Sequence, residues 1–390
     1  MNKLLVKGGT LIDPAQGYFQ TKMDILLEEG LIRQIGPDLA AGEDCPVLDA
    51  AGTYISPGMI DIHIHTRGET RKVSEGAPDA DDLGCRRGVT TVIEAGSTAP
   101  LDMEDFAAQA AREKTRHFTM LGCHTVRGFA PHHQRLDLSS IRLEYFRAAK
   151  EMYPGLVKGL KCLCSGSLAG EQSYDLVKKA VEMGEALDLP VMVHIGRFPP
   201  DPCQILPLLR RGDVVTHSYH GKKEISPYEE DGTPKEAFRA ARARGVYIDV
   251  GHGKESFSWP VYQRAVAKGF VPDSISTDIY NANMNGPVYS LAVVMSKLMA
   301  LGMSLEDAVT KVTTVPAAIY RLPLLGALKP GYFGDLTIFT LEDGDWQLPD
   351  SYGELQPVGR LIRPVKTVLG RPGSIQVVDC DAGMPPQARP

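Results

Sequence analysis

The 390-residue sequence predicts an α/β protein: a (β/α)8 TIM-like barrel joined to a small β-sandwich formed by both chain ends. Three observations carry this. Strand-like and helix-like runs alternate eight times through the middle of the chain. Their spacing of roughly 25 to 40 residues is that of right-handed parallel βαβ units, and eight units over roughly 265 residues fill such a barrel. The two ends instead hold short strand-like runs broken by turn residues, so they pair with each other.

Residues 1–55, the first part of the sandwich, read as strands at Leu4–Val6, Thr10–Ile12, Met23–Leu27, Leu31–Ile35 and Val47–Asp49. Gly8-Gly9, Asp13-Pro14, Glu29-Gly30 and Gly36-Pro37 punctuate them. The barrel domain, 56–324, has strands expected at Met59–His65, Thr90–Glu94, Thr119–His124, Leu156–Leu163, Pro190–His194, Asp213–His217, Gly245–Val250 and Ser274–Asp278. Helices are expected at Glu104–Arg116, Leu143–Tyr153, Tyr174–Leu187, Pro234–Arg244, Trp259–Lys268 and Leu291–Leu301. An open doubly wound sheet would carry a glycine-rich phosphate turn after its first strand; His65-Thr66-Arg67-Gly68 stands there instead. Residues 325–390 complete the sandwich with Leu336–Thr340, Pro364–Leu369 and Ser374–Val378, and the tail after Asp381 has too little apolar content to pack independently.

Composition narrows the function classes. With 43% hydrophobic and 23% charged residues the chain is an ordinary globular one. Its net charge of −6 and lack of any Lys/Arg-rich run argue against a nucleic-acid partner. The apolar run Leu4-Leu5-Val6 is far too short for a signal peptide or a membrane span. Seven irregularly spaced cysteines form no disulfide framework, and Cys162-Leu163-Cys164 is not a CxxC motif. A reduced, cytoplasmic protein acting on a small molecule follows, away from membranes; self-association into a homo-oligomer stays open.

The chemistry is expected where barrel strands end, at the carboxyl rim. In Ile60-Asp61-Ile62-His63-Ile64-His65, apolar and polar residues alternate, so His63 and His65 leave the strand on one face, about 7 Å apart along it. One ion can gather both, and neutral imidazole is the commonest metal ligand. The fifth, sixth and eighth strands close on His194, His217 and Asp278 after apolar runs, and Lys161 lies near the end of the fourth. Lys158 and Lys161 are three apart and face opposite ways. With Lys161 inward, Leu160 and Cys162 meet the helix layer; the reverse would drive a charge into that layer unpaired. An ammonium cannot ligate, so a lysine among histidines is either deprotonated or converted to a carbamate, whose oxygens can bridge two ions.

With these residues in place, the sequence resembles the amidohydrolase superfamily, in its binuclear-metal branch of dihydroorotases, hydantoinases and N-acyl-amino-acid deacetylases. The resemblance covers nearly the whole chain. It implies two divalent ions, zinc by default with manganese or iron as alternatives. His63, His65 and Asp278 would hold the more buried ion and His194 and His217 the second, bridged by N-carboxylated Lys161. It further implies a metal-bridging hydroxide as nucleophile, with Asp278 as general base and then acid.

Arg67, two residues past His65, sits where dihydroorotases place an arginine on the substrate carboxylate; an exposed loop arginine is the other reading. The dihydroorotase pattern then lapses, with Gly68-Glu69-Thr70 and Ile279-Tyr280-Asn281-Ala282-Asn283 in place of its acidic-Pro-Gly and Ala-Pro-His runs. Gly159-Leu160-Lys161, Thr216-His217-Ser218-Tyr219-His220-Gly221-Lys222 and Asp249-Val250-Gly251-His252-Gly253 are more similar to an amidohydrolase/deacetylase group acting on N- or O-acetyl derivatives of small carboxylic acids. The expected function is therefore deacetylase-like cleavage of an amide or ester bond in a small carboxylate-bearing substrate. The alternative is cyclic amide hydrolysis of the dihydroorotase or hydantoinase kind. Ring deamination is disfavoured by Lys161 and by Lys222-Lys223-Glu224, and a non-catalytic scaffold by the complete ligand set.

His252 could touch substrate or fix its loop by a hydrogen bond; Tyr280 and Arg127, on mouth loops, could contact substrate or be structural. His220 is expected to orient the sixth-strand loop. His132-His133, adjacent, point apart if extended. Cys123, Cys162 and Cys164 read as small buried residues.

Overall fold

The computed structural model describes residues 1–42, 44–66, 78–124 and 136–386. Arg67, Arg127, His132 and His133, and the departure at Gly68–Thr70, lie outside the described residues.

The amino-terminal strands are β1 (Lys3–Asp13), β2 (Tyr18–Glu28), β3 (Leu31–Gly36), β4 (Val47–Asp49) and β5 (Tyr54–Pro57). Seven strands follow: β6 (Met59–Ile64), β7 (Val89–Thr98), β8 (Arg116–Gly122), β9 (Val157–Cys164), β10 (Val191–Ile195), β11 (Val214–Thr216) and β12 (Tyr247–Ile248). The chain closes with β13 (Leu336–Pro349), β14 (Leu355–Arg371) and β15 (Ser374–Asp379).

β6 to β12 pair in chain order as one curled parallel sheet. The eighth expected strand, Ser274–Asp278, differs: it makes single parallel bridges, Asp249 to Ser274 on one side and Ile64 to Ile279 on the other. The amides of Val250, His252 and Gly253 bond its carbonyls, and His65 N–H bonds the Ile279 carbonyl at 2.9 Å. Serine and threonine side chains account for the missing ladder. Ser274 and Ser276 donate to Asp249 and Thr277 to Asp61, and the chain turns left-handed at Asp278 (φ +50°). One segment thus bonds both edges of the seven-stranded sheet.

All six expected helices are present, at Met103–Ala110, Leu143–Met152, Ser173–Ala186, Glu236–Ala243, Trp259–Ala267 and Leu291–Ala300. The first stops six residues early because the Asp81 carboxylate captures the backbone N–H groups of Lys114 and Thr115, and Arg116 then opens β8. Helix residues Phe106, Phe146, Phe238 and Trp259 share one buried cluster with Leu160 and Cys162 of β9. A second cluster holds Ile60, Ile62, Ile93, Met120, Met192 and Val214. No helix among the described residues is long and apolar enough to cross a membrane.

The two chain ends meet in one eight-stranded sheet of order β15-β14-β13-β5-β1-β2-β3 with β4 on β1. β5 is the joint: it pairs antiparallel with β13 and parallel with β1, and lies astride residue 55. The β2–β3 turn depends on glycine. Gly30 adopts φ +81°, and a Cβ there would lie 1.9 Å from the Arg371 carbonyl oxygen. Gly30→Ala should lower unfolding free energy by about 2–4 kcal/mol in urea denaturation, with the centre's ion content unchanged.

Candidate metal centre

Six side chains from five sheet positions converge at the carboxyl ends of the strands. β6 delivers His63, and the residue just past it, His65; their ring centroids are 5.5 Å apart. Both Nε2 atoms face the Asp278 Oδ1, at 3.4 Å from His63 and 3.1 Å from His65. β9 delivers Lys161, fully buried, with Nζ 2.7 Å from His63 Nε2. Lys161 is the inward lysine; Lys158 is half-buried against the Phe118 ring. Gly96 (φ +89°) makes room for it, since a Cβ there would lie 2.6 Å from the Lys161 Cβ. His194, on β10, packs edge-on against His217 with centroids 4.4 Å apart, and His217 lies 5.0 Å from His63. His63, His217 and Asp278 offer ligand atoms within 4.8 Å of one another, a set able to hold a metal ion. That trio draws on both halves of the expected ligand partition.

Hydrogen bonds fix which nitrogen each ring presents. Thr216 Oγ1 donates to Asp249 Oδ2 (2.7 Å), so at 3.2 Å it accepts from His63 Nδ1–H. His65 Nδ1 faces Ser97 Oγ (2.8 Å) and Glu94 Oε1 (3.2 Å). His217 Nδ1–H donates to the Gly251 carbonyl at 2.7 Å. These three rings therefore turn Nε2 inward, and the His217 Nε2 is buried with no hydrogen-bond partner among the described residues. A buried lone pair without a donor suits a cation.

The electrostatics agree. Burial, then the charge of Lys161, holds His63 well below its ordinary value; burial also lowers His194 and brings His217 down to about 4, so these rings are neutral. Burial lowers the Lys161 amine to about 8, against the pull of Asp278, Asp249 and Glu94. Burial pushes Asp278 up, but hydrogen bonding from His65 and the neighbouring imidazoles and lysine outweigh it and keep the acid a carboxylate. His65 differs: despite burial, Asp278 and Glu94 raise it to about 9. Two backbone positions at the centre, His217 (φ +64°) and Asp278 (φ +50°), are left-handed, a conformation that costs energy outside glycine and clusters at functional sites.

His252 is fully buried, and both ring nitrogens are engaged away from the centre: Nδ1 with the Gly253 carbonyl (3.0 Å) and Nε2 with Lys297 Nζ (2.9 Å), while the ring stacks on Phe257 at 4.7 Å. Lys297 also bonds the Pro287 and Pro349 carbonyls, which ties the loop to helix and terminal sheet. These are the contacts of the loop-fixing reading of His252. Tyr280 stays at the mouth, half-buried, its ring edge-on to His65 at 6.4 Å. The seven cysteines are free, and Cys123, Cys162 and Cys164 are buried.

Three residues to which the sequence assigned no role, Glu94, Asp249 and Thr216, hold the centre in shape. Glu94 is fully buried and accepts from Thr66 N–H, Thr66 Oγ1 and Ser97 N–H. Its position closing the apolar run from Thr90 was the same signal that singled out His194. Asp249 gathers the hydroxyls of Thr216, Ser274 and Ser276, and so props His63 through Thr216. Thr216→Val should weaken metal retention by about 10- to 100-fold in competitive chelator titration while leaving the fold intact by circular dichroism.

A curled parallel α/β sheet with a cluster able to hold a cation at its carboxyl edge is an architecture of metal-dependent hydrolases. Comparison with known proteins narrows this. Residues 54–369 match the amidohydrolase family, and the chain belongs to it: the protein is a hydrolase of the amidohydrolase superfamily. It is 34% identical over 363 residues to a deacetylase of Agrobacterium fabrum, covering 91% of this chain and 87% of that one. A deacetylase of Enterococcus faecalis is 33% identical over 369 residues, covering 94% and 97%. Among solved structures, one titled a dihydroorotase superposes with TM-score 0.88 at 31% identity over 99% of this chain and all of that one. One titled an adenine deaminase also reaches 0.88, at 33% identity over 97% and 100%.

Proposed function

We propose that the chain is a binuclear metal-dependent deacetylase that removes an acetyl group from the nitrogen or oxygen of a small carboxylate-bearing molecule. The observation that carries this is the convergence of inward-turned imidazole nitrogens on Asp278 beside a buried lysine that is otherwise a costly charge. In this reading the terminal sheet (1–55 with 325–390) is a folded sandwich, and 56–324 is a complete (β/α)8 barrel of a cytoplasmic enzyme.

His63, His65 and Asp278 would hold one ion, His194 and His217 the other, and Lys161, as its carbamate, would bridge them. The ions would supply an activated water and a polarised acyl carbonyl. The chain's own residues do the rest. Asp278, kept ionised by its neighbours, accepts the proton of the attacking water and returns it to the leaving amine or alcohol. Thr216, Glu94 and Ser97 hold the rings so that no reorientation is needed during turnover. The sequence relatives called deacetylases match over most of their length, which favours acetyl transfer to water over ring opening. The structural neighbour called a dihydroorotase keeps cyclic amides as the second reading.

The test is a hydrolysis screen of N-acetyl-D- and L-amino acids, acetylated hydroxy acids, dihydroorotate, hydantoins and adenine, alongside metal analysis. The expected result is about two ions per chain, turnover of an acetylated acid, and loss of both on chelation. Full turnover by a protein with one ion per chain, or turnover of adenine alone, would falsify the proposal.

A further inference from the structure

Beside the centre, the loop after β11 carries two groups that the hydrolytic mechanism does not use. His220 is fully buried. Its Nδ1 accepts the backbone N–H of Lys222 at 3.1 Å, so in the neutral ring the proton sits on Nε2. That Nε2–H is buried and meets no acceptor among the described residues. Lys222, two residues on, is half-buried and closes no ion pair among the described residues. Its charge is felt at the centre: after burial, it helps lower His194, His217 and His220. Burial lowers Lys222 itself, opposed first by Glu255 and also by Asp278. Glu255 leaves that charge uncompensated, since it is exposed and pairs with Arg197 at 3.4 Å.

The loop is held in place from outside. Tyr352, on the β13–β14 turn, accepts the Gly221 N–H at 2.9 Å and donates to the Glu255 carbonyl at 2.8 Å. Ser258 N–H bonds the Tyr219 carbonyl at 2.9 Å. A buried N–H without an acceptor and an ammonium without a counter-ion, on one pinned loop beside a metal-type cluster, lack the same thing: an anionic oxygen pair.

We propose that His220 Nε2–H and the Lys222 ammonium form the anion subsite for the substrate's carboxylate, on the His194–His217 side of the centre. This rests on the hydrolase reading above and adds to it: the scissile acyl group lies at the centre, and the acid is read by the β11 loop. A cation recognises the charge and the fixed imidazole donor its direction. A neutral ester or amide of the same acid would satisfy the donor and leave the ammonium unpaired.

The experiment uses the metal-loaded full chain, wild type and Lys222→Met, with two matched pairs: O-acetyllactate against its methyl ester, and N-acetylalanine against N-acetylalaninamide. Wild type should favour the carboxylate member at least about 10-fold in kcat/KM. Lys222→Met should lose about 10- to 100-fold on the carboxylate member through KM, with kcat nearly unchanged, and less than about 2-fold on the neutral one. Lys222→Arg should restore part of the preference. Equal losses on both members, or no carboxylate preference in wild type, overturn the subsite. Metal content and hydrolysis of neutral 4-nitrophenyl acetate report on the hydrolase reading separately. Should neither pair turn over, calorimetry with lactate against methyl lactate decides: weaker lactate binding alone in Lys222→Met supports the subsite, and equal binding overturns it.

Discussion

Lys161→Met should retain the fold but bind about one ion per chain or fewer, with kcat/KM down by at least about 1,000-fold. Two dications held a few ångströms apart repel strongly unless an anion lies between them. The lysine is the group at the centre that can become that anion without a change of sequence. Its Nζ lies 2.7 Å from His63 Nε2, and its stem threads past Gly96 without any exposed surface. Methionine keeps the buried volume and removes the nitrogen, so loss of the ions cannot be ascribed to a cavity. Metal analysis gives the stoichiometry, and uptake of 13C-labelled bicarbonate followed by NMR reports the carbamate in wild type. Two ions and more than about a tenth of the activity in Lys161→Met would remove the bridging role.

Asp278→Asn should lower kcat by about 100- to 10,000-fold while ion content stays near that of wild type. Asparagine is nearly isosteric, tolerates the left-handed backbone at this position (φ +50°), and keeps an oxygen toward the His63 and His65 rings. What it cannot do is take a proton from water. The pattern to look for is therefore a fall in kcat with KM little altered. A kcat within about threefold of wild type would assign the proton transfer elsewhere.

Much of this centre was legible before any fold was known, because its members obey one local rule. His63 and His65 share one face of a period-two strand, His194, His217 and Asp278 each close an expected strand, and Lys161 follows from the alternation around Leu160 and Cys162. The same rule applied to Glu94 would have found it, but most of what an acid there binds is not close in the sequence. Its partners, Thr66, His65 and Ser97, arrive from the β6 rim and the end of β7. Thr216 and Asp249 are less visible still, a threonine and an aspartate 33 residues apart whose link to His63 exists only because the sheet curls to bring β11 against β6. His252 shows the limit from the other side. Its flanking glycines left two directions open, and its Nε2 meets Lys297, buried on a mostly apolar helix 45 residues away.

The eighth segment marks the same boundary for the fold. Its place in the strand-helix spacing reads as a strand, yet Ser274, Ser276 and Thr277 direct their hydroxyls to Asp249 and Asp61, and the segment bridges both sheet edges without forming a ladder. The sequence by itself determined which residues reach the carboxyl rim, and hence the family of chemistry, because strand periodicity is a property of adjacent residues. Only the tertiary structure decided which ring nitrogen each histidine offers, which histidine turns away, and which loop cation is left without a counter-ion. Hydrogen-bond partners and burial are set by chain segments that meet only once the sheet has curled.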